Sequence, residues 1–182
     1  MGSGTTLVEA KLLNRNAIGV DINPQSVSIS ETNLQFQYET KSKIHTRCAN
    51  ATDLSFIKDS HIDFICTHPP YANIIKYSKN VDGDISLLTV EEFLKEMTVV
   101  AQEAYRVLRK GKACAVMIGD MRRYGKVVPL GFWVMECFLS VGFVSKEIII
   151  KEQHNCRSTD YWEKQNNNFL LLAHEYIFVF QK

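Results

Sequence analysis

The chain has 182 residues, 46% hydrophobic and 23% charged, with 21 Lys plus Arg against 20 Asp plus Glu. That length fits one domain with a core of its own, and the composition excludes a disordered chain, a collagen-like repeat and a strongly basic nucleic-acid tail. At a net charge of +1, any attraction to a polyanion has to come from local clusters of cations. The apolar runs are far shorter than the roughly 20 residues a bilayer-spanning helix needs. The N-terminus carries no basic-then-apolar secretory signal, and Cys48, Cys66, Cys114, Cys137 and Cys156 show no C-x-x-C spacing. These features predict reduced thiols, a cytoplasmic setting and the use of neither a membrane nor a metal.

In chain order, Leu7, Val8, Ala10, Leu12 and Leu13 predict a helix over residues 5–13 that opens on Gly2-Ser3-Gly4. Residues 16–22 predict a short strand closed by Asn23 and Pro24, residues 25–38 a second helix, and residues 44–49 a second strand. Residues 63–67 predict a central strand buried on both faces, because Phe64, Ile65 and Cys66 form an unbroken apolar run, and this places Cys66 in the core. Residues 90–108 carry acidic residues first, basic residues last and an apolar stripe from Phe93 to Leu108, which predicts a long helix. A strand over 113–118, a helix over 130–141 stopped by Gly142, and strands over 143–151 and 175–181 complete the pattern. Alternating strands and helices predict an α/β fold with a mostly parallel sheet and helices on both faces. The last two strands lack a crossover helix between them, so the final strand is expected to be antiparallel. In such sheets ligands sit beyond the carboxyl ends of the strands.

The residues at those ends are unusual. Gly2-Ser3-Gly4-Thr5-Thr6 joins glycines, which permit close backbone approach, to hydroxyls and free amides at a helix N-terminus. Alone it is weak evidence, since Ser3 is also a good helix cap. Asp21, with Ile22 beside it, lies where an acid in a nucleotide-binding α/β unit accepts from ribose hydroxyls, and it is equally placed to cap the next helix. Asp53, followed by Leu54, is an ordinary loop acid by itself and an acceptor for an exocyclic amine in company with the others. His68-Pro69-Pro70-Tyr71 follows the central strand directly. Two prolines fix the backbone and remove two amide donors, leaving carbonyls free to accept from an amino group, and Tyr71 offers a face to a flat heterocycle.

The ordered set Gly-Ser-Gly-Thr-Thr, Val20-Asp21-Ile22-Asn23-Pro24, Asp53, His68-Pro69-Pro70-Tyr71 and the closing Glu175-Tyr176-Ile177-Phe178-Val179-Phe180 resembles the S-adenosylmethionine-dependent amino methyltransferases of DNA. These enzymes modify N6 of adenine or N4 of cytosine. The resemblance implies a Rossmann-like methyltransferase fold over residues 1–182, no recognition domain between the two halves of the site, and the setting of a restriction-modification system. It implies S-adenosyl-L-methionine as cofactor: residues 2–6 near its methionine part, Asp21 and Ile22 near its ribose, and Asp53 and Leu54 near its adenine. It places the target base at His68, Pro69, Pro70 and Tyr71.

The sequence departs from the family twice. His68 stands where the family has Asp, Asn or Ser; neutral imidazole accepts a hydrogen bond and imidazolium does not, so activity should fall at acidic pH. The family's first strand, which lies ahead of the glycine loop, has no counterpart. The expectation is an N-terminally incomplete domain with two unpaired strand edges, partnered by an upstream segment or a second chain. Lys76, Lys79, Arg122, Arg123, Lys126 and Arg157 follow strand ends and form a candidate rim of phosphate contacts to DNA, with RNA as the alternative polynucleotide. Residues 154–169 make a long loop expected on the same face. Two rival readings are an RNA or tRNA base methyltransferase and a catalytically inactive nucleic-acid-binding subunit.

Overall fold

Helix α1 (Thr5–Leu12) begins at Gly4, whose φ of +81° is open to glycine and whose missing Cβ would lie 2.7 Å from Ser30 Oγ. Glycine is therefore required where the two N-terminal helices meet in the computed structural model, which describes residues 1–74, 81–153 and 170–182. Strand β1 (Ala17–Asp21) leads through Asn23, whose side chain caps Gln25 N–H, into helix α2 (Pro24–Asn33). The helix expected to reach residue 38 stops at Asn33. Beyond it the Lys11 ammonium takes the carbonyls of Leu34 and Phe36, each at 2.8 Å, and lies 4.2 Å over the Phe36 ring, so these groups serve a turn instead of another helical rung.

Strand β2 (Ile44–Cys48) pairs in parallel with β1, Ala17 opposite Ile44 and Asp21 opposite Cys48. Strand β3 (Ile62–Thr67) pairs in parallel with β4 (Leu108–Ile118), which leaves helix α3 (Val90–Val107) without an intervening loop. A capping box between Thr89 and Glu92 starts α3. A hairpin of β5 (Met121–Arg123) and β6 (Lys126–Val128), absent from the sequence expectations, precedes helix α4 (Leu130–Val141). Strand β7 (Val144–Glu152) and strand β8 (His174–Gln181) complete a sheet of order β3-β4-β8-β7 in which β8 is antiparallel to both neighbours, as expected of the final strand. Among the described residues β1 pairs only with β2 and β3 only with β4, so each keeps one edge without a strand.

The core follows from the period-two pattern of β8. Tyr176, Phe178 and Phe180 point to one face and are covered by Phe93, Met97 and Ala101 of α3 and by Leu130, Val134 and Phe138 of α4, with Phe138 stacked on Phe180 at 5.1 Å. The register places Phe64 and Cys66 on the other face: they pair with Ala113 and Ala115, and Ala115 pairs with Val179. The expectation of a doubly buried strand with Cys66 in the core is therefore corrected. Phe64 is 58% exposed and Cys66 is exposed, because α3 and α4 both lie over the Phe178 face. Among the described residues no helix is long and apolar enough to cross a membrane.

Candidate active site

Strand β3 delivers His68, then a buried Pro69, Pro70 and Tyr71, and the turn is completed by Ala72. Ala72 is fully buried at a φ of +46°, a left-handed conformation that an L-residue holds only where its surroundings enforce it. Tyr71 is half-buried with both functions of its hydroxyl engaged. It accepts from Gly119 N–H at 3.0 Å, just past β4, and donates to Glu175 Oε1 at 2.6 Å, at the start of β8. A Cβ on Gly119 would lie 3.3 Å from the phenol oxygen, so glycine makes room for the ring. His68 stands edge-on to Tyr71, ring centres 5.8 Å apart, with Nε2 3.6 Å from the same Glu175 Oε1. The other oxygen of Glu175 holds Lys151 Nζ at 2.6 Å.

Burial pushes the His68 pKa below the ordinary imidazole value; Glu175 opposes this, while Lys151 and the N-terminal ammonium reinforce it, so the neutral ring is favoured. Burial alone would raise the Glu175 pKa. Hydrogen bonds from Lys151 and Tyr71, with the charges of Lys151 and His68, outweigh it and hold the carboxyl below its usual range.

At the other half of the candidate site, Asp21 Oδ2 accepts from the Met1 ammonium at 2.8 Å and from Gly2 N–H at 3.0 Å, and Oδ1 accepts from Asn23 N–H at 2.9 Å. Burial would raise its pKa, but the ammonium and the two amides more than compensate and keep it ionised. The glycine loop and Asp21 thus meet through Gly2. The ammonium on Asp21 also acts on His68, which places the two halves within electrostatic reach. Ser3 does not cap α1; its hydroxyl lies 3.2 Å from that of Thr5, and Gly4 stands at the cap. Thr6 is exposed beside it. Ile22 reaches Gly83, together with Asn50 from the loop after β2.

Asp53 is exposed and accepts from Ser55 N–H at 2.9 Å; hydrogen bonds from the Ser55 backbone and hydroxyl lower its pKa. Among the described residues no hydrogen bond or ion pair joins it to Asp21 or Tyr71. Its loop is nonetheless fixed. Leu54 N–H donates to Glu103 at 2.7 Å, and Arg106 donates to the carbonyls of Leu54 and Ile57 and to Asp59. Arg106→Met is expected to release residues 54–59 and to raise KM for an adenine-bearing cofactor by about tenfold with little change in kcat, measured in steady-state kinetics.

Arg122, Arg123 and Lys126 lie on the β5–β6 hairpin. Arg122 donates to the carbonyls of Gly125 and Leu170, and Arg123 to Asn73 Oδ1 at 2.6 Å, which ties the hairpin to the segment following Tyr71. Lys76, Lys79, Arg157 and the loop 154–169 lie outside the described residues. Asp120, beside Arg122, accepts from Gly131 N–H at 3.0 Å and from the Tyr176 hydroxyl at 3.1 Å. Sequence reasoning missed Glu175, Lys151 and Gly119, and also Tyr124, 96% exposed at the hairpin tip between the cations. The signals that could have found them were a carboxylate opening an otherwise aromatic strand and the Tyr124-Gly125 turn pair. Two concavities are described in the structure: a groove of about 720 Å³ between α3 and α4 lined by Leu94, Trp133 and Cys137, away from these residues, and one of about 390 Å³ around Asp82, Gly83 and Leu87, where Gly83 is the residue that Ile22 reaches.

The model of the DNA methylase family N6_N4_Mtase matches residues 1–32 and 62–182. No curated protein matches the chain. Among solved structures, a candidate DNA modification methylase from Thermus thermophilus, determined with S-adenosyl-L-methionine, is 24% identical over 74% of this chain and 53% of its own, with a TM-score of 0.55. A SAM-dependent methyltransferase from Methanosarcina mazei is 18% identical over the whole of this chain and 88% of its own, at 0.64. The cytosine-N4-specific PvuII DNA methyltransferase is 16% identical over 73% of this chain and 47% of its own, at 0.58. The chain thus spans about half the length of the two DNA-modifying structures. At these identities the likeness establishes the fold, the Rossmann-like methyltransferase fold.

Proposed function

This chain belongs to the N6_N4_Mtase family of DNA methylases, and on that premise we propose that it methylates the exocyclic amine of a DNA base, N6 of adenine or N4 of cytosine, using S-adenosyl-L-methionine. The observation that carries the reading is the paired presentation of His68 and Tyr71 beyond β3, with Tyr71 held through its hydroxyl and His68 kept neutral.

The residues present suit the cofactor. Gly4 packs its main chain against Ser30 where no Cβ fits, and Asp21 is an ionised, acceptor-only group already gathering N–H donors, which matches a ribose diol. Residues 2–6 would lie along the methionine part, Asp21 and Ile22 along the ribose, and Asp53 and Leu54 along the adenine. The cofactor supplies a methyl group on a positively charged sulfur. The chain's task is placement: Tyr71 stacks the extruded base, and the Pro69 carbonyl and the free nitrogen of His68 accept from its amine and draw electron density onto that nitrogen. An amine that has taken up that methyl group carries one surplus proton, and neutral His68 would receive it.

Arg122, Arg123 and Lys126, with Lys76, Lys79 and Arg157, are proposed as phosphate contacts. The edges that β1 and β3 keep without a strand among the described residues support a further strand, from another segment or chain, lying against them. The test is transfer of tritiated methyl from S-adenosyl-L-methionine to DNA and to RNA, with the product nucleoside identified by mass spectrometry. Label in 6-methyladenine or 4-methylcytosine of DNA is expected. Label confined to RNA would move the substrate to RNA, and tight DNA binding without transfer would favour an inactive binding subunit.

A further inference from the structure

We propose that Glu175 is a positioning residue for the pair that faces the target base: a single oxygen, Oε1, takes the Tyr71 hydroxyl and keeps the His68 proton on Nε2, leaving the Nδ1 lone pair for the amine. The inference rests on the function proposed above and adds to it a residue outside the His-Pro-Pro-Tyr segment.

The sheet brings these groups together. Register places Tyr176 opposite Ile118, so Glu175 stands beside Gly119 at the carboxyl end of β4, and Glu175 pairs directly with Lys151 at the end of β7. Glu175 projects to the face opposite Tyr176 and Phe178, the face on which Cys66 lies, and His68 follows Cys66 by two residues. Four strand ends thus surround a carboxylate that is only 8% exposed. A buried carboxylate is costly unless paired, and Lys151 at 2.6 Å meets that need through Oε2 alone. Among the described residues the remaining oxygen meets Tyr71 and His68.

The distances differ in kind. At 2.6 Å the Tyr71 contact is a short, charge-assisted hydrogen bond that fixes the phenol, and Gly119 N–H holds it from the other side. At 3.6 Å the His68 contact is too long for a tight hydrogen bond, and its effect is electrostatic: a carboxylate facing one ring nitrogen favours the proton there. The ring remains 43% exposed, which leaves it within reach of a ligand. Among the described residues, the charged and titratable groups that act on or touch His68 are Glu175, Lys151, the Met1 ammonium and Tyr71, and of these Glu175 draws a proton toward the ring.

The experiment combines histidine ¹⁵N NMR with the pH profile of methyl transfer, on the whole chain and on Glu175→Gln. In the wild type the His68 signals should show a protonated Nε2 and a bare Nδ1 at neutral pH. In Glu175→Gln the two nitrogen shifts should approach each other, and the acid limb of kcat/KM should move to lower pH, because Lys151 and the ammonium then act unopposed. The kcat should fall by about 10–100-fold with KM for DNA nearly unchanged, and Glu175→Asp should recover part of the loss. A wild-type His68 protonated on Nδ1, which needs no variant to fold, would overturn the inference, as would unmoved shifts and an unmoved acid limb in the variant. If no polynucleotide is methylated, the proposed function fails, while the NMR measurement still decides the role of Glu175.

Discussion

His68→Phe is expected to lower kcat by about a hundredfold to ten-thousandfold, the range spanned by removal of a positioned acid or base, while cofactor affinity stays near that of the unaltered protein. The ring would keep its place against Tyr71, so the loss would report the missing nitrogen acceptor and not a collapsed site. The pH dependence follows from the same group. Burial lowers the folded-state pKa of His68, so activity should hold as pH falls through about 6.5, the ordinary imidazole value, and decline only below it. Stability follows the same sign. Below the unfolded value the unfolded chain binds a proton that the folded chain resists, so the contribution of neutral His68 to stability is present above the unfolded pKa and is lost as pH falls through the folded one. Rates measured between pH 5 and pH 8, alongside thermal unfolding, check both statements. Full activity of His68→Phe would remove His68 from the mechanism.

Phe178→Ala should be the most damaging single change to the fold. Phe178 is fully buried, stacks with Tyr176 at 5.4 Å, and meets Phe132 and Phe180 at 6.0 and 6.3 Å. Truncating a buried phenylalanine costs about 3–5 kcal/mol, and in a chain of this size each kcal/mol lowers Tm by roughly 2–4 °C. A fall of roughly 6–20 °C is therefore expected in calorimetry. The consequence extends to the site, because β8 is also the strand that carries Glu175 to Tyr71, so the variant should lose activity at temperatures where the parent protein is still active. A Tm within a degree or two of the parent would show that α3 and α4 do not depend on this strand.

Local chemistry was enough to read most elements and the principal site segments. The acidic start and apolar stripe of α3, the Asn23-Pro24 pair that closes β1 and the apolar run of β8 all act over a few residues, which is the range of helix and strand periodicity; the cap of α2 was not read, since the sequence offers Asp21 for it and the structure uses Asn23. Asp21, and His68 with Tyr71, could be singled out because each lies directly where a strand ends, and the glycine loop because it opens a helix. The end of α2 was not legible, since it depends on Lys11 reaching two carbonyls more than 20 residues away. Nor was the exposure of Phe64 and Cys66, which depends on which face of the sheet α3 and α4 cover.

What tertiary structure alone decided is the company each site residue keeps. Glu175 and Tyr71 are 104 positions apart, and nothing local to either announces the other; they meet because β8 runs antiparallel to β4 and so begins where β3 and β4 finish. A motif is written in neighbouring residues because backbone stereochemistry acts there, whereas the protonation and orientation of its side chains depend on charges that the strand order brings in from elsewhere.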